Sequence, residues 1–203
     1  MSPRTVPCSD QSLARGDPMY GTASAGSNWL LLELSGAWGP SAFLQSPAII
    51  DPEGPEGRPI SIFESGAILM YLARKTGRFY GETERDRIAV EEWLMWQMGG
   101  VGPMFGQAHH FMFKPKEVVP YGQKRYHDET KRLYMVMSDR RLHKNDYLAG
   151  DFYSIADIAV YPWVSRHERH QVDLNEFPNV KRWFDTISAR EAVQKGMAVP
   201  FAN

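Results

Sequence analysis

The sequence predicts a chain in two parts, an α+β N-terminal unit built on a short antiparallel hairpin and a helix, followed by an all-α C-terminal bundle. Three observations carry that expectation. Two short β-branched runs flank a proline- and glycine-rich turn, a helical pattern with a glycine stop follows them, and from Thr83 onward the apolar spacing is helical almost throughout.

Each element follows from local chemistry. Residues 1–28 are dominated by Ser, Gly, Pro, Ala and Thr without a sustained period, which reads as loop or disorder. Trp29 to Leu34 is apolar but too short to assign, and Gly36 to Pro40 breaks it. The run 47–51 is a strand candidate, because Ile49 and Ile50 favour a pleated surface and Pro47 can stand only at a strand's start or edge. A turn over 52–57 leads to a second strand over 59–63. Ser65 is placed to cap a helix running to about Thr76, with Ile68, Leu69 and Leu72 on one face and Gly77 as its stop. The turn 78–82 is the expected boundary between domains over 1–78 and 83–203.

Beyond it, Thr83 with Asp86 forms an N-terminal cap for a helix through Trp93 and Trp96, which Pro103 is expected to kink or end. A second long helix is expected from about Tyr121 to Leu142. Ser154 and Asp157 have the spacing of a capping box, with Tyr153 and Ile158 as its hydrophobic staple, and Pro178 opens a last helix to about Ala192.

Composition narrows the functional classes. The 203 residues include 23 Lys and Arg against 24 Asp and Glu, a formal net charge of −1 that argues against nucleic acid or an acidic membrane as the main partner. No apolar run approaches the roughly 18–20 residues that span a bilayer, and the first residues lack a signal-peptide core. One cysteine, Cys8, allows no internal disulfide framework, and no helix start is evident beside it to lower its pKa. The expectation is a cytoplasmic protein that handles a small molecule. Charge is unevenly spread: the first 50 residues hold five charged side chains and the remaining 153 hold the other 42.

Glu64 and Ser65 stand where a strand meets a helix. Helix-start N–H groups attract carboxylates, so Ser65 could grip an α-carboxylate and Glu64 the matching ammonium; equally, Ser65 could only cap and Glu64 only face solvent. The glycine-rich run 99–106 lacks the Lys-Ser/Thr of a P-loop and follows a helix, which favours close helix packing. His167 and His170 have helical spacing but no acidic metal-ligand pattern beside them, so no metal is expected. Arg125 lies in a charged helical stretch that suits either a solvated face or a carboxylate partner.

Taken together, the Ser46-Pro47 strand start, the segment Phe63-Glu-Ser-Gly-Ala-Ile68 and the Ser154–Asp157 box resemble the cytosolic glutathione S-transferases. The run from Trp93 to Gln107 with His109-His110-Phe111 is similar to the nu-class branch, which includes bacterial disulfide-bond reductases and a yeast prion-related regulator. The resemblance runs from about Pro47 to Val199. It implies a thioredoxin-like N-terminal domain and a glutathione-transferase C-terminal bundle, forming a homodimer with glutathione in the cleft as co-substrate. It implies that Glu64 and Ser65 bind the γ-glutamyl end, that Ser46 before a cis Pro47 pairs with the cysteinyl amide, and that Arg125 reaches glutathione, in some relatives from the partner subunit. The thiolate of glutathione would then act on a disulfide or an electrophile.

The first 46 residues depart from the family pattern. The family's T-P-N-G turn, whose Thr and Asn polarise the sulfur, is absent; the nearest registration sets Thr22 and Ser24 there, which makes Thr22 the candidate activating hydroxyl. Only the ten residues 37–46 separate Gly36 from Pro47, too few for the family's second strand. The alternative is therefore a catalytically impaired binding or regulatory protein, and the charge-poor composition also fits a shifted reading frame ahead of Pro47.

Overall fold

A computed structural model of the protein describes residues 48–199. The chain opens with β1 (Ala48–Asp51), which pairs antiparallel with β2 (Ile60–Phe63) so that Ala48 faces Phe63 and Asp51 faces Ile60. The connection over 52–59 is longer than the turn expected over 52–57 and contains a short 3₁₀ turn at Pro55–Gly57. Asp51, fully buried, ties the hairpin to the following helix: its carboxylate accepts hydrogen bonds from the Tyr71 hydroxyl, the Lys75 ammonium and the Glu53 amide. Burial pushes this carboxyl up, and the three donors together outweigh it and hold it below the ordinary range, so the group stays ionised.

Helix α1 (Ser65–Thr76) begins one residue earlier than a serine cap requires. Glu64 occupies the cap position and Ser65 is the first helical residue, so the expectation that Ser65 caps this helix is corrected. Gly77 ends α1 in the left-handed conformation (φ 67), where a side chain would be strained. The helix has two apolar faces: Ile68 and Leu72 pack with Ile49 against the hairpin, whereas Leu69 and Ala73 enter the main core of the helical bundle.

Helix α2 (Glu84–Trp96) starts at a reciprocal capping box of Thr83 and Asp86, as the spacing predicts. It does not stop or break at Pro103. A π-helical turn (Gln97–Val101) joins it to α3 (Gly102–Met112), where Pro103 stands in the first turn. The widened turn changes the hydrogen-bond step just where proline cannot donate, which removes the reason for a break. Helix α4 (Pro120–Met135) likewise passes into π-helical geometry (Val136–Leu142), so the expected helix from Tyr121 to Leu142 is continuous but not uniformly α. Helix α5 (Ile155–Val164) opens at the Ser154–Asp157 box. The expected last helix is two helices, α6 (Pro178–Ser188) and α7 (Glu191–Met197), because Arg190 is extended between them. Its guanidinium lies 3.9 Å from the Tyr153 ring centroid, a contact that helps hold this break.

Within the bundle, Phe105 stacks on Tyr134 and meets His170 at 4.9 Å, while His170 and His109 sit edge to face at 5.7 Å. Both nitrogens of His170 and Nδ1 of His109 are buried without hydrogen-bond partners. His109 is held down at about 4 by burial and then by the charges of Arg169 and Arg166. His170 is held at about 3 by burial, then by His109, Arg166, His167 and Arg169. Both values lie below the roughly 6.5 of an unfolded histidine, so as pH falls the unfolded chain binds these protons first. The stability these neutral rings support is complete above about pH 6.5 and is lost as pH falls toward 4 and 3. We expect unfolding free energy to drop by roughly 4 kcal/mol between pH 7 and pH 5, about half of it from each ring, measured by denaturant titration, and the drop to halve in a His170→Phe variant.

Candidate functional site

The start of α1 combines a strained backbone with open donors. Glu64 has φ 69 and ψ 122, a positive φ that costs a non-glycine residue about 1–3 kcal/mol. Its side chain makes no capping hydrogen bond. By contrast, Thr83 and Ser154 cap α2 and α5 with their own hydroxyls. The first backbone hydrogen bond of α1 is from the Ile68 amide to the Glu64 carbonyl at 2.9 Å, so the N–H groups at 65–67 precede the helical ladder and point out of its N-terminus. Glu64 is exposed and Ser65 half-buried. The Ser65 hydroxyl lies 3.9 Å from Met98 Sδ, a weak contact that leaves its lone pairs available. Gly66 allows the close approach of the π turn, since a Cβ there would stand 3.3 Å from the Met98 sulfur. A carboxylate brought to this corner would meet backbone N–H groups, a serine hydroxyl and the positive end of a 12-residue helix, with a carboxylate of opposite preference one residue away.

Arg125 stands elsewhere. It is exposed on α4 and lines a groove of about 870 Å³ with Met104, Tyr121, Tyr126, Glu129 and Arg132. Neither Glu64 nor Ser65 lines this groove, so within one chain Arg125 and the α1 corner do not share it. Its guanidinium carbon lies 5.9 Å from the Tyr126 ring centroid. The remaining residues singled out from the sequence, Thr22, Ser46 and Pro47, lie outside the described residues, as does Cys8. Of the glycine-rich run, Gly102 is closely packed, because a Cβ there would stand 3.1 Å from Gln97 Nε2, whereas one at Gly99 would meet nothing within 4 Å. His167 and His170 lie on a 3₁₀ turn, and no three His, Cys, Asp or Glu residues among those described converge on a metal position. No helix among the described residues is long and apolar enough to cross a membrane.

A β-hairpin and helix followed by an all-α bundle with a buried Ser-x-x-Asp box is the architecture of the glutathione transferases. A solved glutathione transferase from Burkholderia graminis, with two glutathione molecules bound per subunit, superposes with a TM-score of 0.78 and 36% identity over 90% of this chain and 86% of that one. The chain belongs to the glutathione S-transferase family: residues 101–191 match the model of its C-terminal domain, and the Escherichia coli disulfide-bond oxidoreductase YfcG is 47% identical over 152 residues, 74% of this chain and 70% of that protein. The chain is also 31% identical over 192 residues to the Saccharomyces cerevisiae transcriptional regulator URE2, of which it spans 52%.

Proposed function

We propose that the protein binds glutathione and uses its thiolate to reduce a disulfide, or to attack an electrophile, in a cleft between domains over 1–78 and 83–203. The observation that carries this reading is the uncapped, strained start of α1 in a chain 47% identical to a disulfide-bond oxidoreductase. The γ-glutamyl carboxylate would lie on the N–H groups at 65–67 and the Ser65 hydroxyl, and its ammonium on Glu64. Ser46 before Pro47 would pair with the cysteinyl amide, and Thr22 would donate to the sulfur. In a homodimer the α4 groove would offer Arg125 to a glutathione of the partner subunit.

The exchange balances without a protein nucleophile. One glutathione thiolate attacks a substrate disulfide, forming a mixed disulfide and expelling a thiolate. A second glutathione attacks the glutathionyl sulfur, giving glutathione disulfide and a second thiol after proton uptake, so two glutathiones supply the two electrons. A glutathione thiol with an ordinary pKa near 8.5 needs only a well-placed hydroxyl and helix-start amides to gain thiolate at neutral pH.

The test is retention on glutathione-agarose together with glutathione-dependent turnover of hydroxyethyl disulfide and chlorodinitrobenzene. Retention with turnover of either substrate supports the enzyme. Failure to be retained and to turn over either one overturns it. The similarity to a transcriptional regulator supports a second reading, a glutathione-binding regulatory protein without catalysis, for which retention without turnover is the expected result.

A further inference from the structure

A second pocket, of about 520 Å³, lies at the C-terminal end of α3, walled by the 113–119 connection and by Arg169 from the 3₁₀ turn. Its size suits a small organic ligand, within the range of about 300–1,000 Å³. Its charge is one-sided: Lys114, Lys116 and Arg169 line it against a single carboxylate, Glu117. Some exposed cations on the same bundle are matched by a carboxylate, Lys131 by Glu176, Arg132 by Glu129 and Lys181 by Asp185. No carboxylate among the described residues pairs with Lys114, Lys116 or Arg169.

Two of these cations, Arg169 and Lys114, are organised around an aromatic ring. The Arg169 guanidinium carbon lies 4.7 Å and the Lys114 ammonium 5.3 Å from the centroid of Phe113, which is 38% exposed. Phe113 in turn meets His109 edge to face at 5.1 Å, and His109, only 8% exposed, forms part of the pocket wall with an unpartnered buried Nδ1. His110 and Phe111 add a second ring pair, 4.9 Å apart. Lys114 adopts φ 51 directly after α3 ends, a left-handed position that glycine fills at lower cost, so the backbone there carries strain while presenting an ammonium. The positive field reaches the inner wall, where Arg169 and Arg166 add to burial in keeping His109 neutral.

We propose that this pocket binds a planar aromatic phosphate monoester, its dianionic phosphoryl group held by Arg169, Lys114 and Lys116 and its ring set against Phe113 and His110. A phosphate monoester fits better than a carboxylate because three cations line one pocket where a single guanidinium would satisfy a monoanion. The planar arginine fork supplies paired hydrogen bonds, and the lysines supply charge.

The test is calorimetric titration of the full chain at pH 7.5 with phenyl phosphate, inorganic phosphate and phenol. Phenyl phosphate is expected to bind at least tenfold more tightly than either half, with affinity falling as salt rises. Arg169→Gln should weaken it at least tenfold, the Lys114→Gln/Lys116→Gln double variant similarly, and Lys131→Gln, on a matched cation, not at all. All four positions are at the surface, and unchanged circular dichroism will establish that each variant folds. Equal binding of phenol would reduce the pocket to an apolar cleft, and equal binding of inorganic phosphate would remove the aromatic half; either result overturns the proposal. So does an affinity that ignores Arg169→Gln, or one that falls equally with Lys131→Gln.

Discussion

Asp157→Ala is expected to destabilise the protein by about 4 kcal/mol, enough to lower the melting temperature by roughly 10 °C in a chain of this length. The carboxylate is fully buried and accepts four hydrogen bonds: from the Leu148 amide at 2.9 Å, the Trp183 indole at 2.8 Å, and the Ser154 amide and hydroxyl at 3.0 Å each. Burial pushes this carboxyl up despite those four donors. Alanine removes the acceptor and strands the Leu148 and Ser154 amides and the Trp183 indole inside the bundle, and each unsatisfied buried donor costs about 1–3 kcal/mol. Ser154→Ala removes the capping hydroxyl but leaves the other partners in place, and should cost about 1–2 kcal/mol. Thermal unfolding of the two variants measures the difference; equal, small losses would show that the box only starts α5 and does not anchor it to Trp183.

The second large effect is on the ligand. Glu64→Ala should weaken glutathione binding by roughly 10- to 100-fold, the value of a charge-assisted hydrogen bond of about 1.5–3 kcal/mol. The change removes an exposed side chain with no hydrogen bond of its own in the free protein, so stability should hold or rise slightly. Glu64→Gln keeps the oxygen and loses the charge, and belongs between the two. Competition with free glutathione on an affinity column reads all three, and unchanged retention of Glu64→Ala would detach the α1 corner from the ligand.

Much of this was legible in the sequence because it is local chemistry. Thr83 with Asp86 and Ser154 with Asp157 specify helix starts through side chains three residues apart, and Gly77 specifies a stop through its own backbone freedom. The hairpin was legible in two β-branched runs around a proline- and glycine-rich turn, whereas its register, which buries Ile49 and Asp51 and leaves Ile50 exposed, came only with the structure. What escaped was set by tertiary contacts. Ser65 has the residue type of a cap, yet the strand exit places Glu64 there. The break at Arg190 sets its guanidinium against Tyr153, a residue 37 positions earlier in the chain. The second pocket brings Lys114 and Lys116 of the 113–119 connection together with Arg169 of a 3₁₀ turn more than 50 residues on, and no spacing rule joins the two segments; the pair Phe113-Lys114 beside two histidines was its only sequence trace.

The π turn at Gln97–Val101 gives the long helix two addresses. One extra residue rotates everything beyond it by about 100° relative to a regular helix, so α2 and α3 present different faces along one rod. Leu94 and Phe105 both reach the core, while Met98 on the turn itself is directed to Gly66 and Ser65. The wall beneath the α1 corner is thus a seam where helical phase changes, and the thioether set into that seam gives the corner a soft, polarisable floor.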